Sequence, residues 1–135
     1  MQFFSELHSL ADWGLFALRL TIGFIFIYHG KSKLRMWKMQ PTAEMPVGLL
    51  SLLRFLSIAE ILGGVGVIVG LLTQAAAMGF VFIMAGAMDM KIRKMHKPFS
   101  GDGSWEFDLV LLAAALVLVF SGPGDLSLDA LVFKL

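Results

Sequence analysis

Residues 54–91 read RFLSIAEILGGVGVIVGLLTQAAAMGFVFIMAGAMDMK. Between Arg54 and Asp89 the only charged side chain is Glu60, and the only polar break is the turn around Leu72-Thr73-Gln74. About twenty apolar residues, rising ~1.5 Å each, cross a ~30 Å hydrocarbon core. The stretch therefore predicts two crossings, Arg54 to Leu72 and Thr73 to Lys91. Their connection is so short that the helices must form an antiparallel hairpin. Ala59, Gly63, Gly66 and Gly70 fall at steps of four, three and four residues on the first of these helices. Ala75, Gly79 and Gly86 fall on one face of the second. Small residues let backbones approach where lipid supplies little drive for association, so these two stripes predict that the second and third helices pack tightly together as the spine of the bundle.

The same pattern continues on both sides. Trp13 to Lys31 precedes the hairpin and Trp105 to Ser121 follows it, the last being the shortest span. Trp13, Trp37 and Trp105 stand at or just beyond span ends, where amphipathic rings favour the headgroup region. Composition agrees: of 135 residues 58% are hydrophobic and 16% charged, against about 25% charged in an ordinary soluble domain. Mean hydropathy is +0.81. The expected fold is all-α, an integral membrane four-helix bundle forming a single domain over residues 1–135. A net charge of +1 is too balanced for a nucleic-acid surface. With no cysteine, the chain supplies neither disulfides nor thiolate ligands for zinc or iron–sulfur clusters.

Charge placement sets orientation. Lys31, Lys33, Arg35 and Lys38 follow the first span, and Lys91, Arg93, Lys94 and Lys97 follow the third; the N-terminal tail has no Lys or Arg and the C-terminal tail only Lys134. Basic loops stay in the cytoplasm, which predicts a multi-pass protein of the plasma (inner) membrane with both termini outside. The first twelve residues, MQFFSELHSLAD, lack the basic region of a secretory signal, so the first span is expected to remain. Phe3, Phe4, Leu7, Leu10 and Ala11, and at the far end Leu128, Leu131, Val132 and Leu135, are spaced for short helices lying in the interface. Gly122-Pro123-Gly124 ends the fourth span.

Ionisable groups inside spans are expensive and face partners or cavities. Arg19, Gly23, Phe26, Gly30 and Lys33 share one face of the first helix, with His29 on a neighbouring face. Glu60 lies about 9 Å in from Arg54 along the second helix. Asp89 and Glu106 fall near the same cytoplasmic boundary. These positions define an expected polar pocket of His29, Glu60, Asp89 and Glu106, closed from the outer side by Arg19. The alternative is structural: Glu60 pairs with Arg19 or His29 to hold helices in register, and Asp89 and Glu106 mark water boundaries. No metal site is expected, since His29 is the only histidine within a span.

Several runs resemble the DoxX family of small four-helix membrane proteins. They are Leu18-Arg19-Leu20 with Gly23 and His29-Gly30-Lys31-Ser32-Lys33-Leu34; Ala59-Glu60-Ile61-Leu62-Gly63-Gly64; Gly70-Leu71-Leu72-Thr73-Gln74-Ala75-Ala76-Ala77; and Gly122-Pro123-Gly124-Asp125-Leu126-Ser127-Leu128-Asp129. Together they cover nearly the whole chain, although Met36 to Met45 and Lys91 to Ser104 match nothing in the family pattern. The resemblance implies a four-helix bundle associated with membrane redox metabolism. Relatives include a quinone-linked thiosulfate-oxidising complex and accessory partners of oxidative-stress enzymes. Position by position, the functional candidates it carries over are Arg19, His29, Lys33 and Glu60.

Residues and resemblance together favour a non-catalytic subunit or adaptor of a membrane redox system, with quinone as its ligand and a redox enzyme or a second copy of the chain as its partner in the bilayer. Two other classes stay open. One is a small proton-coupled or metal-handling transporter, for which Glu60 or Met84, Met88 and Met90 would serve. The other is a stand-alone oxidoreductase, which would need a redox centre that the sequence does not display.

Overall fold

Proline, glycine and basic residues punctuate the chain where the helices end. The computed structural model describes residues 6–133, and Phe3, Phe4 and Leu135 of the expected interfacial helices lie outside them. Helix α1 is Ala11–Lys33, with Lys31 and Lys33 in its last turn, where cations complement the helix dipole. A 3-10 turn, Leu34–Lys38, extends it. Helix α2 is Val47–Val69 and begins directly after Pro46, seven residues before the expected start at Arg54. Arg54 donates instead to the carbonyls of Met36 (3.0 Å) and Met39 (2.7 Å), pinning the first basic loop.

Gly70 ends α2 in the left-handed conformation, φ 74°, which glycine adopts without a Cβ penalty. The amide of Leu71 reaches the Gly66 carbonyl at 2.8 Å and that of Gly70 reaches Val67 at 3.2 Å, the Schellman pattern of a helix stop. Helix α3, Thr73–Asp89, follows at once and runs into a π-helical turn, Met90–Lys94. Helix α4 is Glu106–Ser121, stopped at Gly122 (φ 76°) before Pro123. Helix α5, Leu128–Phe133, is a short amphipathic piece with Leu131, Val132 and Phe133 exposed. All regular structure among the described residues is helical.

Three stretches are long and apolar enough to cross a membrane: Ala11–Lys38, Val47–Val69 and Thr73–Lys94. The 16 residues of α4 amount to about 24 Å of helix. Its ends nevertheless lie beside those of α3. At one end Gln74 Nε2 donates to the Val119 carbonyl at 2.7 Å; at the other Lys91 Nζ is 2.6 Å from Asp108 Oδ2. Large apolar side chains such as Leu62, Phe82 and Phe120 point outward, as a lipid-facing surface requires.

The tight pair is α1 with α2, where the glycine stripes predicted α2 with α3. A Cβ added at Gly23 would fall 2.6 Å from the Gly64 carbonyl oxygen, one at Gly64 2.6 Å from the Gly23 oxygen, and one at Gly30 2.6 Å from the Ser57 oxygen. At Gly79 and Gly86 an added Cβ would meet nothing within 4 Å among the described residues. The two helix pairs meet through a core of Ile22, Phe26, Val67, Ala77, Phe80, Leu111, Ala115 and Leu118, with the Phe26 and Phe80 rings stacked at 3.6 Å. Towards the basic loops α2 and α3 part and leave a cleft.

Candidate functional site

The cleft encloses about 710 Å³, within the ~300–1,000 Å³ range of small-molecule sites. Its walls are apolar, with Leu52, Phe55 and Ala59 on α2 and Gly79, Phe82 and Gly86 on α3. Its polar groups, His29, Lys33, Lys91 and Asp108, all belong to helix ends near the basic loops. Helical continuity places each of them: Lys33 in the last turn of α1, His29 one turn earlier, Lys91 in the π-helical turn after α3, and Asp108 in the first turn of α4.

Two ion pairs organise this end. Lys33 Nζ donates to Glu60 Oε1. Glu60 is fully buried on α2, and its Oε2 has no hydrogen-bond partner among the described residues. Lys91 Nζ pairs with Asp108, which is 5% exposed, and donates to the Ser104 carbonyl at 3.0 Å. A charge in a low-dielectric setting needs such a partner, and here each cation lining the cleft has one carboxylate. His29 lies in the field of all four charges, its ring 6.4 Å from Phe26 and 6.2 Å from Phe107. Behind them, Trp37 Nε1 donates to Ser57 Oγ at 3.0 Å, and Ser57 donates to the Arg54 carbonyl at 2.6 Å.

Of the expected site residues, His29 and Lys33 line the cleft, while Glu60 is buried behind Lys33 as its ion-pair partner and is not part of the lining. Arg19 is elsewhere: it is buried near Gly70, ten residues along α2 from Glu60, about 15 Å at the helical rise. Its guanidinium donates to the Leu126 carbonyl, so it holds the C-terminal segment against the turn end of the bundle. Asp89 faces outward and pairs with Arg93 at 2.8 Å, both well exposed. Glu106 is half-buried at the start of α4 and does not line the cleft. Asp108 takes the inward position, two residues on and about 200° around the helix.

Sequence reasoning missed Asp108 and Lys91 as a buried pair. The available signal was that Asp108, sharing a face with Leu111, Ala115 and Leu118 of the core, lies at helical spacing from them. It also missed Asp129, whose carboxylate accepts from the amides of Leu72 (2.7 Å) and Thr73 (2.9 Å) at the start of α3. Among the described residues no group of three or more His, Asp or Glu side chains is placed to hold a metal ion.

A model of the DoxX family matches residues 14–96. The chain belongs to the DoxX family. The matched stretch runs from α1 through α3 and stops before α4, so it includes His29, Lys33, Glu60 and Lys91 but not Asp108. Relatives of this DoxX protein align over almost their whole length. CatD of Bacillus subtilis, provisionally named an oxidoreductase, is 36% identical over 124 residues, 90% of this chain and 88% of CatD. An uncharacterized membrane protein of Mycobacterium tuberculosis is 30% identical over 145 residues, 95% of this chain and 86% of its own. An uncharacterized protein of Haemophilus influenzae is 30% identical over 138 residues, 96% of this chain and 98% of its own. No solved structure matches the chain.

Proposed function

We propose that this DoxX protein is a non-catalytic subunit or docking partner of a membrane redox system and that its cleft holds a quinone. The observation that carries the reading is the charge balance at the polar end of an otherwise apolar cavity. Lys33 is matched by Glu60 and Lys91 by Asp108, so no net charge is left for an anionic head group. An ammonium has three N–H donors. Lys33 spends one on Glu60, and Lys91 directs one to Asp108 and one to Ser104, which leaves two donors on Lys33 and one on Lys91 for neutral carbonyl oxygens. A quinone offers two such oxygens on an apolar ring. The provisional name of CatD supports the redox setting. A chain without cysteine and with one histidine in its spans offers few ligands for a redox centre of its own, which favours a partner enzyme.

The same reading places the protein in the plasma membrane with the basic loops in the cytoplasm and both termini outside. That arrangement needs four crossings. The support for the fourth is that α4 runs level with α3 from Gln74–Val119 to Lys91–Asp108.

Purification in mild detergent, followed by native mass spectrometry and lipid extraction, tests the reading on wild type, Glu60→Gln and Asp108→Asn. Quinone bound to wild type and reduced in either variant supports it. Absence of quinone from wild type purified out of quinone-containing membranes refutes it.

A further inference from the structure

The cleft is far longer than a quinone ring requires. Its lining on α2 extends from Leu49 to Ala59 and on α3 from Gly79 to Met90, which at ~1.5 Å per residue makes a slot of about 15 Å. That is half of the ~30 Å hydrocarbon core, or one leaflet. The polar groups occupy the basic-loop end alone. A ring seated there would leave most of the 710 Å³ unfilled, and an unfilled apolar void forfeits its dispersion contacts.

Gly79 and Gly86 create the slot. They are two turns apart on one face of α3, and at either of them an added Cβ would meet nothing within 4 Å. At Gly23, Gly30 and Gly64 the missing side chain admits another helix; at Gly79 and Gly86 no helix among the described residues fills the space. Phe55 and Phe82 line the same cavity yet are 67% and 70% exposed, so the slot opens sideways onto the lipid-facing surface.

Resting on the quinone reading above, we infer that the occupant is a quinone with a long hydrocarbon tail, that it enters laterally from the leaflet on the basic-loop side, and that Gly79 and Gly86 admit the tail. The balanced ion pairs fix the neutral ring at His29, Lys33 and Lys91, and the tail runs down between α2 and α3 towards Gly79. A phospholipid is disfavoured within the cleft, because both lysines that line it are already matched, by Glu60 and Asp108, and its phosphate would have to draw on basic-loop cations outside the lining.

The test compares two probes in lipid nanodiscs: 2,3-dimethoxy-5-methylbenzoquinone, which has no tail, and the same ring with a decyl chain. Binding is read by quenching of tryptophan fluorescence and by the mass of bound quinone, for wild type, Gly86→Leu and Gly79→Leu. Both variants project into open space, and two positions guard against one failing to fold. The expected result is that the leucines weaken the decyl probe about tenfold or more while the tailless probe binds as in wild type. Unchanged decyl binding in both folded variants overturns the tail assignment and leaves the ring site standing. Parallel loss of both probes also overturns it, because the leucines would then be blocking the ring. Failure of wild type to bind either probe removes the quinone reading itself, and phospholipid found in the slot replaces the tailed quinone as its occupant.

Discussion

Glu60 and Asp108 matter because each neutralises a lysine inside a largely apolar environment. Removing one charge of such a pair strands the other, at a cost of about 1–3 kcal/mol when the lysine retains some exposure, as Lys33 does at 26%. Glu60→Gln should therefore lower thermal stability in detergent, and adding Lys33→Met should restore part of the loss; no recovery in the double variant would mean that the two residues act separately. At the opposite end, Asp129 accepts two backbone amides and holds Leu72 at φ 52°, a conformation costly for a residue with a Cβ. Asp129→Ala should destabilise by about 1–3 kcal/mol. Leu72→Gly should be neutral or stabilising, since that side chain is 61% exposed. Glu60 could be picked out from sequence because a lone charge in an apolar run stands out, whereas Lys33, one of four cations between 31 and 38, was marked only by its helix face and the family resemblance. Only its helical spacing from Leu111, Ala115 and Leu118 separates Asp108 from Glu106, and that spacing becomes decisive once the buried face is known. Arg19 was recognised as buried, but its partner, the Leu126 carbonyl, is 107 residues away in the chain and invisible to local spacing.

At the scale of elements, the glycine stripes announced close helix contacts but pointed to α2 with α3, where the structure gives only Gly63 against the Phe80 ring and puts the backbone approaches between α1 and α2. Gly64 lies on α2 beside the stripe of Gly63, Gly66 and Gly70, and it is Gly64 that meets Gly23 of α1. Gly79 and Gly86 make no close contact. The difference is measurable. Gly23→Ala and Gly64→Ala each force a methyl against a carbonyl oxygen and should destabilise by about 1–3 kcal/mol, whereas Gly79→Ala and Gly86→Ala should stay within ~0.5 kcal/mol of wild type. Equal effects at all four positions would contradict the pairing of α1 with α2. Helix existence and the hairpin around Leu72-Thr73-Gln74 were legible in sequence, because apolar length and a polar break are local signals; the stop at Gly70, just after the helix ends at Val69, was not read. The start of α2 was not: Arg54 reads as a boundary charge, yet it lies seven residues inside the helix and serves the loop carbonyls of Met36 and Met39.

On the scale of the molecule, α1–α2 and α3–α4 join through the Phe26–Phe80 core and separate near the basic loops, while the C-terminal segment seals the other end through Arg19 and Asp129. One end of the bundle is thus closed and the other opens onto a polar-tipped cleft. With no native cysteine, a single cysteine reports sidedness directly. Ser9→Cys should react with an impermeant thiol reagent in intact cells and Ser100→Cys should not; the reverse labelling would invert the membrane orientation. The proposed seat of a quinone ring at the ends of α1 and α3 can be probed in place. The most direct measurement is photo-crosslinking in membranes with a quinone carrying a photoreactive group on its ring, followed by peptide mapping. Labelling is expected around His29–Lys33 and Met90–Lys91 and should be suppressed by excess unlabelled quinone. Labelling at the Arg19–Leu126 end, or label on the lipid-facing surface that excess quinone leaves unchanged, would contradict it.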